Sequence, residues 1–318
     1  MYEPPVIVDP TKEVPVDRDR GRAPGRVGNS LPIMGSVGKE LPTLRGRRNV
    51  SRSAGFRPAI PALILLSVFF LFPVARFLGF SVESGTLQWY ADALGKELYL
   101  RVLWDTFVIA AVVTVFCLAL GYPLGFLIAT TTPLWATVGF VFVLLPLWTS
   151  VLVRTYAWMV LLGRNGVLNR LLIDADLITE PLPLLHNFTG VLIGMVHVLL
   201  PYMVLLIYGA VRRLDPAIVQ AAQGLGASTW RIFWRIYLPL TMNGIFAGCV
   251  IVFVLALGFF ITPALLGGGR VIMIAVLIEQ QVRETLNWPF AAAMSAVLLT
   301  ATLAVYALAQ RFAREEAA

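Results

Sequence analysis

Six long apolar runs limit what this chain can fold into more than any other feature. They extend from about Pro58 to Phe80, Trp104 to Thr131, Leu134 to Leu162, Phe188 to Val211, Met242 to Leu266 and Pro289 to Phe312. A helix crosses a bilayer with about 20 mostly apolar residues. Backbone polar groups in lipid must be satisfied within their own segment, so each run is expected to be helical. The expected fold class is therefore an all-α integral membrane protein with six transmembrane helices. Composition agrees, because only 14% of the 318 residues are charged and the mean hydropathy is +0.80. Soluble domains carry about a quarter charged residues.

Six crossings put both termini on one side, and charge says which. Residues 1–57 hold 11 of the 25 Lys and Arg. With Arg212, Arg213, Arg231, Arg235, Arg311 and Arg314, that side carries 17. The opposite loops carry 6: Lys96, Arg101, Arg164, Arg170, Arg270 and Arg283. Positive loops stay inside, which puts both termini in the cytoplasm. The segment 1–57 is rich in Pro and Gly and has no spanning run, so it reads as a basic, disordered tail. It has no apolar core near its start and is not a cleavable signal peptide. Residues 58–318 form the expected transmembrane domain. The same arginines fit a nucleic-acid-binding arm, but topology explains them without that partner.

Several chemistries find no support. Cys117 and Cys249 lie singly in apolar runs, where small buried cysteines need no further role, and make neither a disulfide framework nor a CxxC metal pair. His186 and His197 are too few for a metal cluster. The sequence has no GxxxxGK[ST] phosphate loop, so if ATP drives this protein another chain binds it. No metal and no cofactor are expected.

The loop 212–239 is the most informative stretch. Asp215-Pro216 is a helix start, with Asp at the N-cap and Pro at the first helical position. A short helix through Gln220, Ala221 and Ala222 is interrupted by Gly224 and Gly226, and Gly226 is free to take a positive φ. Ser228 then caps a second helix that carries Trp230, Phe233 and Trp234, with Arg231 and Arg235 among them, and Leu238-Pro239 closes it. Composition alone also fits an interfacial amphipathic helix lying on lipid headgroups.

Spacing favours another reading. Residues 220–239 run QAAQGLGASTWRIFWRIYLP. They resemble the EAA motif of ABC importer permeases: Glu-Ala-Ala, three residues, Gly, nine residues, Ile, one residue, Leu-Pro. Only Gln220 departs, standing where the motif has Glu. The resemblance implies a type I ABC importer permease fold with a cytoplasmic coupling helix–turn–helix. In it Gln220, Ala221, Ala222, Gly226 and Ala227 would dock into a groove on an ATPase subunit. Gln220 removes one charge-assisted contact and leaves the geometry alone, so tuned coupling is expected.

Residues 145–169 (LPLWTSVLVRTYAWMVLLGRNGVLN), 257–268 (LGFFITPALLGG) and 287–289 (NWP) look like the membrane subunits of spermidine/putrescine-type importers. That resemblance covers roughly residues 58–312. It departs at Phe259, where many polyamine-type relatives carry Asp or Glu, a loss that argues against a strict polyamine pathway. Ser150, Arg154 and Trp158 share one helix face at i, i+4 and i+8. Trp158 is placed to cover the Arg154 guanidinium by cation–π contact. Arg154 reads either as a pathway residue or as a structural arginine bonded to loop carbonyls. Pro263 and Gly267-Gly268-Gly269 are expected to break the fifth run, and interrupted helices in transporters mark the path. Ser150, Arg154, Trp158, Phe259 and Thr262 are thus the candidate pathway residues. Asp105 reads as an N-cap feature of the second helix, and Glu279 and Glu284 as outer-loop residues.

The resulting expectation is a permease subunit of an ATP-driven, binding-protein-dependent importer of a small polar solute, first of all a polyamine-like amine. Its expected partners are a second permease subunit in a heterodimer, two ATP-binding subunits, a periplasmic solute-binding protein and the lipid of a bacterial inner membrane. It would do no covalent chemistry itself. A secondary transporter driven by an ion gradient is the alternative, which needs titratable groups at mid-membrane, and only Arg154 offers itself. An intramembrane enzyme would need a catalytic constellation, and His197 is the one histidine in a run.

Overall fold

The computed structural model describes residues 60–82 and 87–315, with side chains described as far as residue 311. The tail expected over 1–57 lies outside the described residues. Helices α1 Ile60–Val82, α2 Gln88–Gly95, α3 Glu97–Thr130, α4 Pro133–Trp148, α5 Val151–Leu162, α6 Val167–Asp174 and α7 Phe188–Arg212 come first. Then follow α8 Pro216–Gly224, α9 Thr229–Leu240, α10 Met242–Leu257, α11 Ile261–Gly267, α12 Ile274–Arg283 and α13 Trp288–Glu315. There is no strand among the described residues.

Helices α1, α3, α7 and α13 are each long and apolar enough to cross a membrane alone. Two more crossings are broken: α4 meets the segment Val151–Asp174 at 101°, and α9 meets α10 at 60°. With each bent pair taken as one span, the count reaches the expected six.

The third run was expected as one helix, and the structure corrects this. The Thr149 N–H and hydroxyl both bond back to the Pro146 carbonyl (3.3 and 2.9 Å), which closes α4. Ser150 is extended and starts α5 as its N-cap. An apolar run reports surroundings; it does not report continuity of the helix. The fifth run ends at the glycine triplet as expected, but its internal break lies at Gly258–Phe260 and not at Pro263. Pro263 sits in the first turn of α11, where a missing N–H costs no helical bond. Gly268, at φ 55°, ends that helix in the left-handed region.

Two stretches expected as loops are partly helical: α2 and the first turns of α3 fall in the stretch before Trp104, and α12 carries Glu279. Asp105 is therefore no N-cap, because α3 begins eight residues earlier, at Glu97.

The prolines leave a further mark. Among the described residues, the two π-helical segments, Ser67–Leu71 and Phe233–Tyr237, each end two residues ahead of a proline, Pro73 and Pro239. A proline ring collides with the carbonyl four residues back, and widening the preceding turn relieves it.

The core is a three-helix packing of α3, α7 and α10. Glycines permit the approach. A Cβ at Gly121 would stand 2.8 Å from Met203 Cγ, and one at Gly248 would stand 2.6 Å from Met203 Sδ. Small residues at such contacts let helices without a hydrophobic driving force pack closely in lipid. The start of α12 is pinned to α3, where Thr106 Oγ1 accepts from the Ile274 N–H at 2.8 Å and donates to the Val102 carbonyl at 2.7 Å.

Candidate functional site

Two regions hold the sequence candidates, at opposite ends of the path α9–α10–α11. The first is the loop after α7. Asp215 caps α8 by accepting the Ala217 N–H at 2.9 Å, with Pro216 at the first helical position. Helix α8 ends after Gly224, and Gly226 turns the chain at φ 79° with nothing within 4 Å of the place for its Cβ. Ser228 Oγ then accepts the Arg231 N–H at 3.4 Å and starts α9. The helix–turn–helix read from the sequence is present with its expected caps.

Its tip is bare. Leu225 is 89% exposed and Trp230 70%. Gln220, Ala221 and Gly226 are exposed, and Ala222 and Ala227 are half-buried. Gln220 lines a cavity of about 270 Å³ between α8 and the neighbouring ends of α3 and α7. Behind the tip, aromatic edges lock α9 to α3. Phe233 and Tyr237 meet the Phe126 ring edge-on at 5.3 and 4.9 Å between centroids. At the 60° bend into α10, the buried Thr241 Oγ1 lies 3.1 Å from the Tyr122 hydroxyl on α3. The segment between the tip and α10 is thus held against α3 by an aromatic wedge.

The second region lies where α5, α7 and α11 meet. Thr155 and Thr262 are buried, and their hydroxyls lie 3.2 Å apart. Thr155 Oγ1 also donates to the Val151 carbonyl at 2.8 Å. A Cβ at Gly194 of α7 would collide with Thr262 and Leu266, so this glycine lets α11 lie against α7. Phe259, in the break ahead of α11, packs on the core.

Arg154 is 9% exposed, and its Nε and Nη1 have no hydrogen-bond partner. Neither expected account of Arg154 as a satisfied cation holds. Among the described residues it bonds no loop carbonyl, and Trp158 does not cover it. Trp158 Nε1 instead donates to His197 Nδ1 at 3.1 Å, with the two rings edge-on at 5.5 Å. The reason is depth. Helix α4 climbs roughly 24 Å before the 101° bend, which carries α5 sideways against α7, so Trp158 points at the middle of α7. Ser150 is exposed at the N-cap, and its carbonyl accepts the Arg154 N–H at 3.1 Å. Sequence reasoning singled out Arg154, Trp158 and Thr262 but missed Thr155 and the bond to His197. Polar residues within apolar runs were the available signal.

Comparison with known proteins adds an independent line. The family model described as "Binding-protein-dependent transport system inner membrane component" matches residues 59–316. The chain is 38% identical over 251 residues to the spermidine/putrescine transport system permease protein PotB of Haemophilus influenzae, covering 78% of this chain and 86% of that one. It is 32% identical to the inner membrane ABC transporter permease protein YdcU of Escherichia coli, over 62% of this chain and 66% of that one. Among solved structures, a chain of a bacterial ABC transporter that imports the acidic polysaccharide alginate superposes with a TM-score of 0.69. At 17% identity, the superposition covers 83% of this chain and 96% of that one, and it carries the fold alone. The helix order, the punctuated loop and these matches agree: the chain belongs to the family of inner-membrane components of binding-protein-dependent transport systems.

Proposed function

We propose that this importer subunit carries a polyamine-like amine and lines half of a pathway completed by a second, similar permease chain. Its family makes it a membrane-spanning transport subunit of the bacterial inner membrane, working with a binding protein and with an ATPase on separate chains. The observation that carries the substrate class is the 38% identity to a spermidine/putrescine permease over most of both chains. The chemistry is compatible, because ammonium groups bind aromatic faces, and Trp158 and Phe259 stand beside the broken helices. Phe259 removes one expected carboxylate from this half, so in this reading the second chain supplies the anions.

The proposed coupling surface is Gln220, Ala221, Ala222, Gly226 and Ala227, with Leu225 as its tip, docked on one of two ATP-binding subunits. ATP-driven closure of those subunits moves α8, and α9 passes the movement through Thr241 to α10 and α11. The proposed pathway face is Ser150, Arg154, Trp158, Phe259 and Thr262. Both termini and the basic stretch 1–57 lie on the coupling side in this reading, supported by the excess of Lys and Arg there.

One observation favours a second substrate class. The unpaired guanidinium of Arg154 suits an amine that also bears a carboxylate, as an amino acid does. Uptake into liposomes holding the co-encoded complex separates the two. Labelled putrescine accumulating with ATP and binding protein, and competed by spermidine, is the expected result. Competition by amino acids but not by diamines selects the second reading. Uptake without any ATPase overturns the assembly.

A further inference from the structure

A cavity of about 710 Å³ opens at the ends of α5 and α11, beside the start of α7. Arg212, from which the coupling loop departs, is at the other end of α7, so the cavity faces away from that loop. Its lining includes Arg164, Leu182, His186, Gly268 and Arg270. Arg164 and Arg270 are exposed. Ion pairs among the described residues are Lys96–Asp92 and Arg283–Glu279, so the carboxylates on the same stretch, Asp174, Asp176 and Glu180, neutralise neither arginine directly.

The walls are built, not slack. The buried Asn169 holds the rim by donating to the Gly163 and Leu182 carbonyls at 3.1 and 3.0 Å and accepting the Leu182 N–H at 2.9 Å. His186 sits at φ 59°, in a region that non-glycine residues seldom adopt, and its ring lies against the bare Cα of Gly268. Such strain persists only where surrounding contacts over-determine it, and it clusters at functional places. Pro181 and Pro183 stiffen the loop between.

We propose that this basic pocket is the seat for a carboxylate-bearing loop of the soluble binding protein. The family's transport systems depend on a binding protein, and this inference rests on the function proposed above, which puts the ATPase at the coupling loop, beyond the other end of α7. Two unpaired guanidinium groups recognise carboxylates in fixed geometry and steer an approaching acidic surface. The volume fits a side-chain-bearing loop and exceeds what a single ion fills. Position adds a consequence. Arg164 lies two residues past the end of α5 and Gly268 directly after α11. A carboxylate bridging Arg164 and Arg270 ties together the ends of the two helices that meet at Thr155 and Thr262. Docking is thereby transmitted to the pathway.

The test uses the full complex in liposomes with its co-encoded binding protein. ATP hydrolysis is titrated with loaded binding protein for wild type, Arg164→Glu, Arg270→Glu and the double variant. Co-purification of all subunits and hydrolysis without binding protein report assembly. The double variant is expected to raise the half-saturating concentration by about ten-fold or more, as loss of complementary charges does. Rising salt should weaken wild type and have little effect on the variant. A half-saturating concentration within about two-fold of wild type overturns the proposal, since two lost charge pairs exceed that. As a measurement independent of those variants, Leu182→Cys carrying a benzophenone should photo-crosslink to the binding protein. A crosslink to the second permease alone makes that chain the occupant and overturns it as well.

Discussion

The two ends of the α9–α10–α11 path are built on opposite principles. At the coupling end the informative groups stand in solvent, with Leu225 89% and Trp230 70% exposed. At the other end they are enclosed, with Thr262 fully buried and Thr155 1% and Arg154 9% exposed. An exposed apolar tip gains its energy only when a partner covers it. A buried polar cluster must be satisfied within the fold, or it stores strain until something satisfies it. In the function proposed above, the first region is a handle and the second is the part that the handle moves. Changes at the first should therefore spare stability and uncouple the machine, and changes at the second should register in stability directly.

The largest expected effect lies at Gly194. Gly194→Leu drives a branched side chain into Thr262 and Leu266. Overpacking of this kind costs about 1–3 kcal/mol or more. The thermal midpoint of the purified complex should fall and transport should be lost, and an unchanged midpoint would show that α11 does not lie on α7. At the other end, Gly226→Val forces a β-branched residue to φ 79° on an open surface, at about 1–2 kcal/mol of local strain. The expected outcome is an intact complex in which binding protein no longer stimulates ATP hydrolysis. If stimulation survives, the loop is not the handle.

Arg154→Met sharpens the contrast because it should split the two readouts. Removing two unpartnered buried donors relieves about 1–3 kcal/mol of desolvation cost, so thermal stability should rise while transport falls. A fall in both would mean that Arg154 has structural partners. Thr155→Val removes one hydrogen bond to Thr262, worth about 1 kcal/mol. The double variant with Thr262→Val should cost less than the two single variants together. Trp158→Phe, which deletes the donor to His197 and shrinks the packed ring, should cost about 0.5–1.5 kcal/mol for the bond by denaturant melt, with the lost ring contacts in addition.

Much of this was legible in the residues. Asp215-Pro216, Gly226 and Ser228 specify caps and a turn through local chemistry alone, and the structure has them where the sequence put them. The apolar runs likewise located the crossings. They did not reveal the bend at Thr149–Ser150, because lipid-facing and protein-facing apolar residues look alike in sequence. Hydrophobicity also hid a contrast in packing. No residue in the apolar window of α1 is buried, against 61% in that of α7, although their mean hydropathies are 2.2 and 2.3.

The sequence by itself determined a helical membrane protein, the helix–turn–helix after α7 and the family, because each rests on composition or on residues close together along the chain. Only the tertiary structure decided which polar groups meet. Thr155 and Thr262 are 107 residues apart in the chain and Trp158 and His197 are 39 apart, and their contacts depend on two helix breaks and one bare glycine. The same long-range geometry left Nε and Nη1 of Arg154 without a partner and put Arg164 and Arg270 on the walls of one cavity. Periodicity along one helix carries no information about what a bend brings alongside it.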